Sequence, residues 1–445
     1  MKIPLFLIKY YLKSQQYHIR IGHIFKQGFQ CWNYFGTRME FTMFDYEQRK
    51  IPYNYQTFRH AIWYTLNAWT AIIFLMFLTN DETLISIKHI EKIFGIDRLD
   101  LLLNEMIIIF LILEWMWIFT FKETLRYRFT WNNFWSSNFD YDDNKLQPKF
   151  HNYLINFYAI TTILSTICHQ ISAIVILCSY PIFVHYSVHL FNINQITLIQ
   201  LILTFFGYLA LLIHIIFMMG QLFRAMNFIV VSVEFSKVQI KQFFSSLKLL
   251  RNYNSFGTDH HSISFIQNSI LFLSRQQFEY VKQYADVTKV NRTASPYFVY
   301  DEMISKSSII MACLFTSRQL QMNLFNLCII PGLLSMFFYT TGLYQSVSNL
   351  PLYNQRSARL ISQWLAKFQW LSSSIKNKAI NRRFSQAYLR YLIKLNLFIQ
   401  TMPNNKFGFS CGRLFFITKF KYIQLFILNF HLTIKFYKKI CMSPQ

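Results

Sequence analysis

Seven apolar stretches, separated by polar and charged segments, set the hydropathy pattern of the chain. Each is long enough, at 1.5 Å per helical residue, to cross roughly 30 Å of hydrocarbon as a helix. They run over about residues 60–79, 101–121, 154–187, 196–219, 294–316, 323–346 and 414–436. This pattern predicts an all-α, polytopic membrane protein with seven transmembrane helices.

Three long polar segments divide the chain between and before these stretches. Residues 1–58 are typical of a cytosolic N-terminal segment, and residues 220–293 of a cytosolic helical extension. Residues 347–411 predict a basic cytosolic anchor segment, a loop with its own amphipathic helices at Leu360–Leu371 and Ala387–Ile399. The remaining regions are transmembrane helices 1–4 over 59–219, helices 5 and 6 over 294–346, a pore-type seventh helix over 412–437 and a tail over 438–445.

The distribution of lysine and arginine predicts the orientation of the seven helices. The segments on one side of the membrane, which include residues 1–58 and 347–411, carry 32 basic residues, whereas those on the other side carry 6. Because positive residues stay in the cytosol, the N-terminus is expected inside and the C-terminus outside. The glycosylation sequon at Asn291 is then cytosolic and should be unused.

Composition supports a membrane protein and argues against other classes. The chain is 53% hydrophobic and 14% charged, with a net charge of +24. Basic loops that face an anionic cytoplasmic leaflet explain this charge, so we expect no nucleic-acid partner. The seven cysteines show no CxxC pair, which predicts neither a disulfide framework nor a metal site. No phosphate-binding loop or hydrolase motif is present, so the sequence predicts no enzyme and no cofactor.

The last apolar stretch is unusually polar for a transmembrane helix. Its polar side chains are Lys419, Lys421, Gln424, Asn429, His431, Thr433 and Lys435. Such groups are costly in lipid unless they face protein or water. The stretch is therefore expected to lie in a bundle interior or along a pore.

Two stretches resemble the arthropod gustatory and odorant receptor superfamily. FEYVKQYADVTKVNRTASPYFVYDEM, Phe278–Met303, is similar to the family's long helix that rises from the cytosol into the fifth span. FGFSCGRLFFITKFKYIQLFILNF, Phe407–Phe430, resembles the family's closing signature, although Lys421-Tyr422 replaces Thr-Tyr and Asn429-Phe430 replaces Gln-Phe, after an interval one residue longer. The chain is thus similar to a gustatory-receptor-like member.

The resemblance implies a function and a set of partners. Members of this superfamily are seven-span, ligand-gated cation channels that assemble as tetramers, with the outer half of the last helix along the pore. It implies a multi-pass plasma-membrane protein that responds to a small-molecule tastant or odorant, passes cations and forms a homo- or hetero-tetramer. The expected pore and gate residues are Asn429, Phe430 and Thr433, with Phe430 or Leu432 closing the pore by dewetting. The alternative for Asn429 and Thr433 is hydrogen bonding between packed helices.

The resemblance also implies a ligand pocket in the outer half of the bundle. Its candidates are Trp63, Tyr64, Trp69, Glu114, His169, Tyr180 and Tyr339. Each aromatic has the alternative of a packing or interfacial role, and Glu114 that of a structural interhelical bond.

Two other classes of membrane protein compete with a channel. A G-protein-coupled-type receptor places its amino end outside, and its Asp/Glu-Arg-Tyr and Asn-Pro-x-x-Tyr motifs are absent from the sequence. A polytopic transporter is the second alternative, although no internal repeat is visible.

Overall fold

The computed structural model describes residues 55–79, 103–104, 106–116, 147–253, 263–318, 324–375 and 382–441. Nearly all of these residues are helical, so the prediction of an all-α protein is confirmed. Most of the predicted N-terminal segment, the loop that follows the second span and the end of the predicted tail lie outside the described residues.

Eight helices and one short hairpin make up the described chain. The helices are α1 (Tyr55–Thr79), α2 (Met106–Met116), α3 (Pro148–Asn192), α4 (Leu198–Tyr253), α5 (Ile263–Arg318), α6 (Leu324–Ile375), α7 (Arg382–Asn404) and α8 (Lys419–Cys441). Strands β1 (Ser410–Cys411) and β2 (Phe415–Phe416) pair antiparallel before α8.

Helices α3 to α6 are far longer than a bilayer requires. Both α4 and α5 have 56 residues, which corresponds to about 84 Å of helix. The expectation that the fourth span continues as a helix past the apolar stretch is confirmed, as is the single long helix that contains Phe278–Met303. Helix α6 differs from the prediction, because Leu360–Leu371 is its end rather than a separate helix in a loop.

The burial pattern explains why α6 does not stop at the end of the predicted sixth span. Val347, Leu350, Ile361 and Leu365 are all buried in the same core cluster. Their spacing keeps one apolar face on the neighbouring helices beyond residue 347, so packing extends the helix through a segment whose mean composition is polar.

The turn between α3 and α4 follows from local sequence. Asn194 adopts a left-handed conformation with φ 58°, which asparagine tolerates better than most residues. Thr197 and Gln200 then form a reciprocal cap: the Thr197 backbone N–H donates to Gln200 Oε1 at 2.8 Å, and the Gln200 N–H donates to Thr197 Oγ1 at 3.3 Å. This cap begins α4 close to the predicted position.

Two clusters of buried side chains form the interior. The smaller joins α1, α2, α3 and α4 with Met311 and Phe315 of α5. The larger joins the C-terminal parts of α4 and α6 and most of α5 with α2, α3, α7 and the hairpin, and it holds the bulkiest buried rings, which include Tyr280, Phe298, Phe407 and Phe409. Helices α2, α3, α4 and α5 each contribute buried residues to both clusters.

Polar contacts pin the hairpin to α5 and so position the start of α8. The Ser410 backbone N–H donates to Asn291 Oδ1 at 2.8 Å, and Gly412 N–H donates to the Ser295 carbonyl at 2.9 Å. Gly412 has φ 55°, and a Cβ there would lie 2.6 Å from Val299 Cγ2, so this close turn requires glycine. The amide of the Asn291 sequon is therefore engaged in the fold.

Within the described residues, one helical stretch is long enough and apolar enough to cross a membrane. Leu198–Ile216 of α4 has 19 residues with a mean hydropathy of 2.2, and 28% of it is buried within the chain. Shorter apolar helices cover Thr65–Phe77 and Met106–Met116. The described helices thus carry fewer membrane-length apolar stretches than the seven predicted from the full sequence.

Candidate functional site

Helix α8 has two distinct faces. Tyr422, Leu425, Asn429 and Thr433 are half-buried and recur every three or four residues, which places them on one side of the helix. Tyr422 and Leu425 pack on the larger core cluster. This side therefore faces α5 and α6 of the same chain.

A second side of α8 carries exposed apolar residues. Phe420, Ile427 and Ile434 are spaced by seven residues, and Ile423 and Phe430 repeat the same interval three positions later. Ile427 and Phe430 are each 61% exposed, and Ile434 is 50% exposed. We call these five residues the α8 stripe. Their spacing is that of positions a and d in a heptad repeat.

The three predicted pore residues do not share one face. The Asn429 side chain accepts a hydrogen bond from the Lys306 ammonium of α5. The Thr433 hydroxyl donates to the Asn429 backbone carbonyl at 2.8 Å, so these two residues lie together on the side turned toward α5, as their i, i+4 spacing predicts. Phe430 belongs to the α8 stripe instead.

Lys306 is held on both sides. Its ammonium lies 2.9 Å from Glu302 Oε1, at the i, i+4 spacing that brings two side chains together on a helix, and it also reaches Asn429 on α8. The second contact joins residues 123 positions apart, so no local sequence signal predicts it. Asp301, beside Glu302, is buried.

The predicted ligand residues are not brought together. Tyr180 stacks on Tyr208 of α4 with ring centroids 6.2 Å apart, whereas the Tyr339 hydroxyl donates to the Met226 carbonyl of α4 at 3.0 Å. These two anchor points are 18 residues apart on one helix, or about 27 Å. Tyr180 and Tyr339 therefore cannot line one small pocket.

The other ligand candidates divide into buried, exposed and undescribed side chains. Glu114 is buried, and both carboxylate oxygens lack a hydrogen-bond partner within the described part of the chain. Trp69 is exposed on α1. The side chains of Trp63, Tyr64 and His169 lie outside the described residues. A buried carboxylate without a partner is costly, so among these candidates the Glu114 side chain is the one that needs a ligand, a bound proton or a water molecule.

Cys411, at the base of α8, is packed into the larger core. Its sulfur lies 3.5 Å from the Tyr344 hydroxyl, and burial raises the pKa of the thiol to about 11. The raised pKa keeps the thiol neutral at physiological pH, and only the thiolate reacts with alkylating reagents.

Cys411 is accordingly expected to resist iodoacetamide at pH 8 in the folded protein. A rise of about two units from the ordinary thiol pKa predicts alkylation roughly 100-fold slower than that of an exposed thiol. Arg413→Cys supplies the matched control, because position 413 is exposed in the same hairpin. Mass spectrometry of the labelled peptide is the measurement. Equal labelling of the two positions at pH 8 would contradict the buried hairpin.

Comparison with known proteins adds no relative. No protein-family model matches the chain, and no curated protein matches it. The observations that bear on the function of the chain are therefore the geometry of α8 and the resemblance of Phe278–Met303 and Phe407–Phe430 to the receptor superfamily.

Proposed function

We propose that the chain is one subunit of a tetrameric, ligand-gated, nonselective cation channel of chemosensory, gustatory-receptor type. It spans the plasma membrane seven times with its N-terminus in the cytosol, and it responds to a small-molecule tastant or odorant. The long cytosolic continuations of α4, α5 and α6, together with α7, form its anchor region. The observation that carries the proposal is the α8 stripe.

The α8 stripe lies on a different side of the helix from the residues that contact α5 and α6. Large apolar residues at heptad positions over consecutive turns are the pattern by which helices pack against copies of themselves. Four copies of α8 around one axis cover the stripe and place Ile427 and Phe430 toward that axis. A ring of isoleucine and phenylalanine side chains excludes water, which closes a narrow pore to ions.

This arrangement takes Asn429 and Thr433 out of the proposed pore lining, keeps Phe430 and adds Ile427. Asn429 joins α8 to α5 of the same subunit, which corresponds to the packing alternative raised by the sequence, and the Thr433 hydroxyl donates to the Asn429 carbonyl within α8. Phe430 keeps its proposed role as a dewetting gate, since it lies in the stripe.

A ring of lysines in the pore would repel permeating cations, but Lys435 lies outside the α8 stripe. Consecutive helical residues are rotated by about 100°, so Lys435 lies well round the helix from Ile434 of the stripe. Lys435 is exposed, which lets its ammonium extend to water at the outer end of the helix rather than into the pore.

Current recording from cells that express the chain tests this function. Application of a tastant panel is expected to evoke a cation current, because the ligand opens the pore. Replacing Ile427 or Phe430 by serine is expected to produce current without ligand, since a polar ring keeps water in the gate. Leu428→Ser is the matched control, because Leu428 is exposed but rotated away from the stripe. No evoked current, or identical behaviour of all three variants, would contradict the proposal, and a monomer with substrate flux would favour a transporter.

A further inference from the structure

The polar contact between α5 and α8 lies midway along the last helix. On the N-terminal side of Asn429, Tyr422 and Leu425 fix α8 to the core by apolar packing. On the C-terminal side, Leu432 and Ile434 are exposed. The hydrogen bond from Lys306 to Asn429 lies one to two helical turns beyond these packed residues, on the same side of α8.

The hydrogen bond between Lys306 and Asn429 involves a charged donor, and Lys306 can give it up without losing its ion pair with Glu302. Glu302 neutralises the Lys306 ammonium at 2.9 Å, which lowers the cost of placing a cation among apolar helices. The ammonium then has donors left for the Asn429 side-chain oxygen. The Lys306 side chain is 35% exposed, so it can leave Asn429 while remaining paired with Glu302.

We propose that Lys306 acts as a positioning residue, whose contact with Asn429 holds the outer half of α8 against α5 and thereby maintains the closed pore. This inference rests on the proposed channel function. Loss of the contact frees the outer half of α8 to move away from α5, which shifts the α8 stripe off the central axis. Hydrogen bonds that involve a charged group shift such two-state equilibria by roughly 10-fold to 100-fold.

Substitution of Asn429 in two directions tests the inference in the full chain. Asn429→Leu keeps the side-chain volume but removes the acceptor, and it is expected to raise the open probability without ligand by roughly 10-fold or more. Asn429→Asp gives Lys306 a carboxylate partner and is expected to lower that open probability and to raise the half-maximal ligand concentration. A residue with a merely structural role would not give opposite signs for these two variants.

A matched control lies elsewhere on α5. Arg275 pairs with Glu279 at the same i, i+4 spacing as the Glu302–Lys306 pair, but it is highly exposed in the cytosolic part of the helix. Arg275→Gln removes a cation from α5 without changing a contact with α8, and it should leave gating unchanged. The effects of Lys306→Met and Asn429→Leu on gating should be less than additive in the double variant, because both changes remove the Lys306–Asn429 contact, although Lys306→Met also removes the pair with Glu302.

Three results would overturn the inference. If both Asn429 variants conduct with wild-type ligand dependence, the positioning role fails and the channel function stands. If the effects of Lys306→Met and Asn429→Leu add in the double variant, the two residues act independently and the inference also fails. If neither the wild-type chain nor any variant conducts, the proposed function itself fails and the inference falls with it.

Discussion

Replacement of Tyr280 by alanine is expected to destabilise the folded chain by about 3–5 kcal/mol, the range for loss of a fully buried aromatic ring. Tyr280 is 1% exposed, and its ring contacts Phe243 of α4, Phe398 of α7 and Phe407 before the hairpin. The substitution leaves a cavity where these elements meet. Thermal unfolding of the purified protein in detergent, followed by circular dichroism, measures the loss.

Tyr280→Phe is the matched control for this experiment. It keeps the ring and removes only the hydroxyl, which accepts a hydrogen bond from Asn405 Nδ2 at 3.3 Å. Loss of one neutral hydrogen bond predicts about 1 kcal/mol. Burial raises the pKa of the Tyr280 phenol, so the group is neutral at ordinary pH and no charge changes in either variant. Equal destabilisation by the two substitutions would contradict the placement of this ring at the centre of the anchor region.

Replacement of Gly207 by alanine is expected to loosen the packing of α1 against α4 and to cost about 1–3 kcal/mol. A Cβ at position 207 would lie 2.2 Å from Phe74 Cδ2 and 2.8 Å from Phe74 Cγ. Phe74 is itself buried, so its ring has no free space to enter. The two helices must therefore separate or the ring must leave its rotamer. The unfolding temperature in detergent is the measurement.

Gly342→Ala provides the control for Gly207→Ala. Both glycines lie within helices, but an added Cβ at position 342 meets no atom within 4 Å. Alanine is the better helix former by roughly 0.5–1 kcal/mol, so Gly342→Ala is expected to leave stability unchanged or to raise it. A loss of stability for Gly342→Ala equal to that for Gly207→Ala would show that packing against Phe74 is not the cause.

Local sequence predicts the all-α class and the start of α4, but not the full length of α6 or the faces of the helices. Apolar runs and capping residues such as Thr197 and Gln200 indicate where α4 begins, because helix initiation depends on neighbouring residues. The orientation of α8 instead depends on Lys306 and on the core beneath Tyr422, which are distant in sequence. Sequence reasoning therefore found the polar residues of α8 and assigned Asn429 and Thr433 to the pore side. The seven-residue spacing of Phe420, Ile427 and Ile434 was the signal that indicates the exposed side.

The residues of a ligand pocket are likewise difficult to predict from the sequence, because contacts between distant segments bring them together. Aromatic residues at the ends of predicted spans are plausible ligand contacts, yet their distances depend on helix register over long elements. Tyr180 and Tyr339 both contact α4, but at Tyr208 and Met226, so about 27 Å of helix separates the two contacts. Glu114 is buried as expected for a carboxylate inside a bundle, whether its partner is a ligand or a structural group.

Cysteine substitution in the α8 stripe tests the central claim most directly, which is that copies of α8 surround a conducting axis. Ile427→Cys and Leu428→Cys place thiols on adjacent, exposed residues that differ by about 100° around the helix. A charged, water-soluble thiol reagent applied during ligand-evoked current is predicted to block the Ile427→Cys channel and to leave the Leu428→Cys and wild-type channels unaffected. Block of Leu428→Cys but not of Ile427→Cys, or no block of either, would contradict the account.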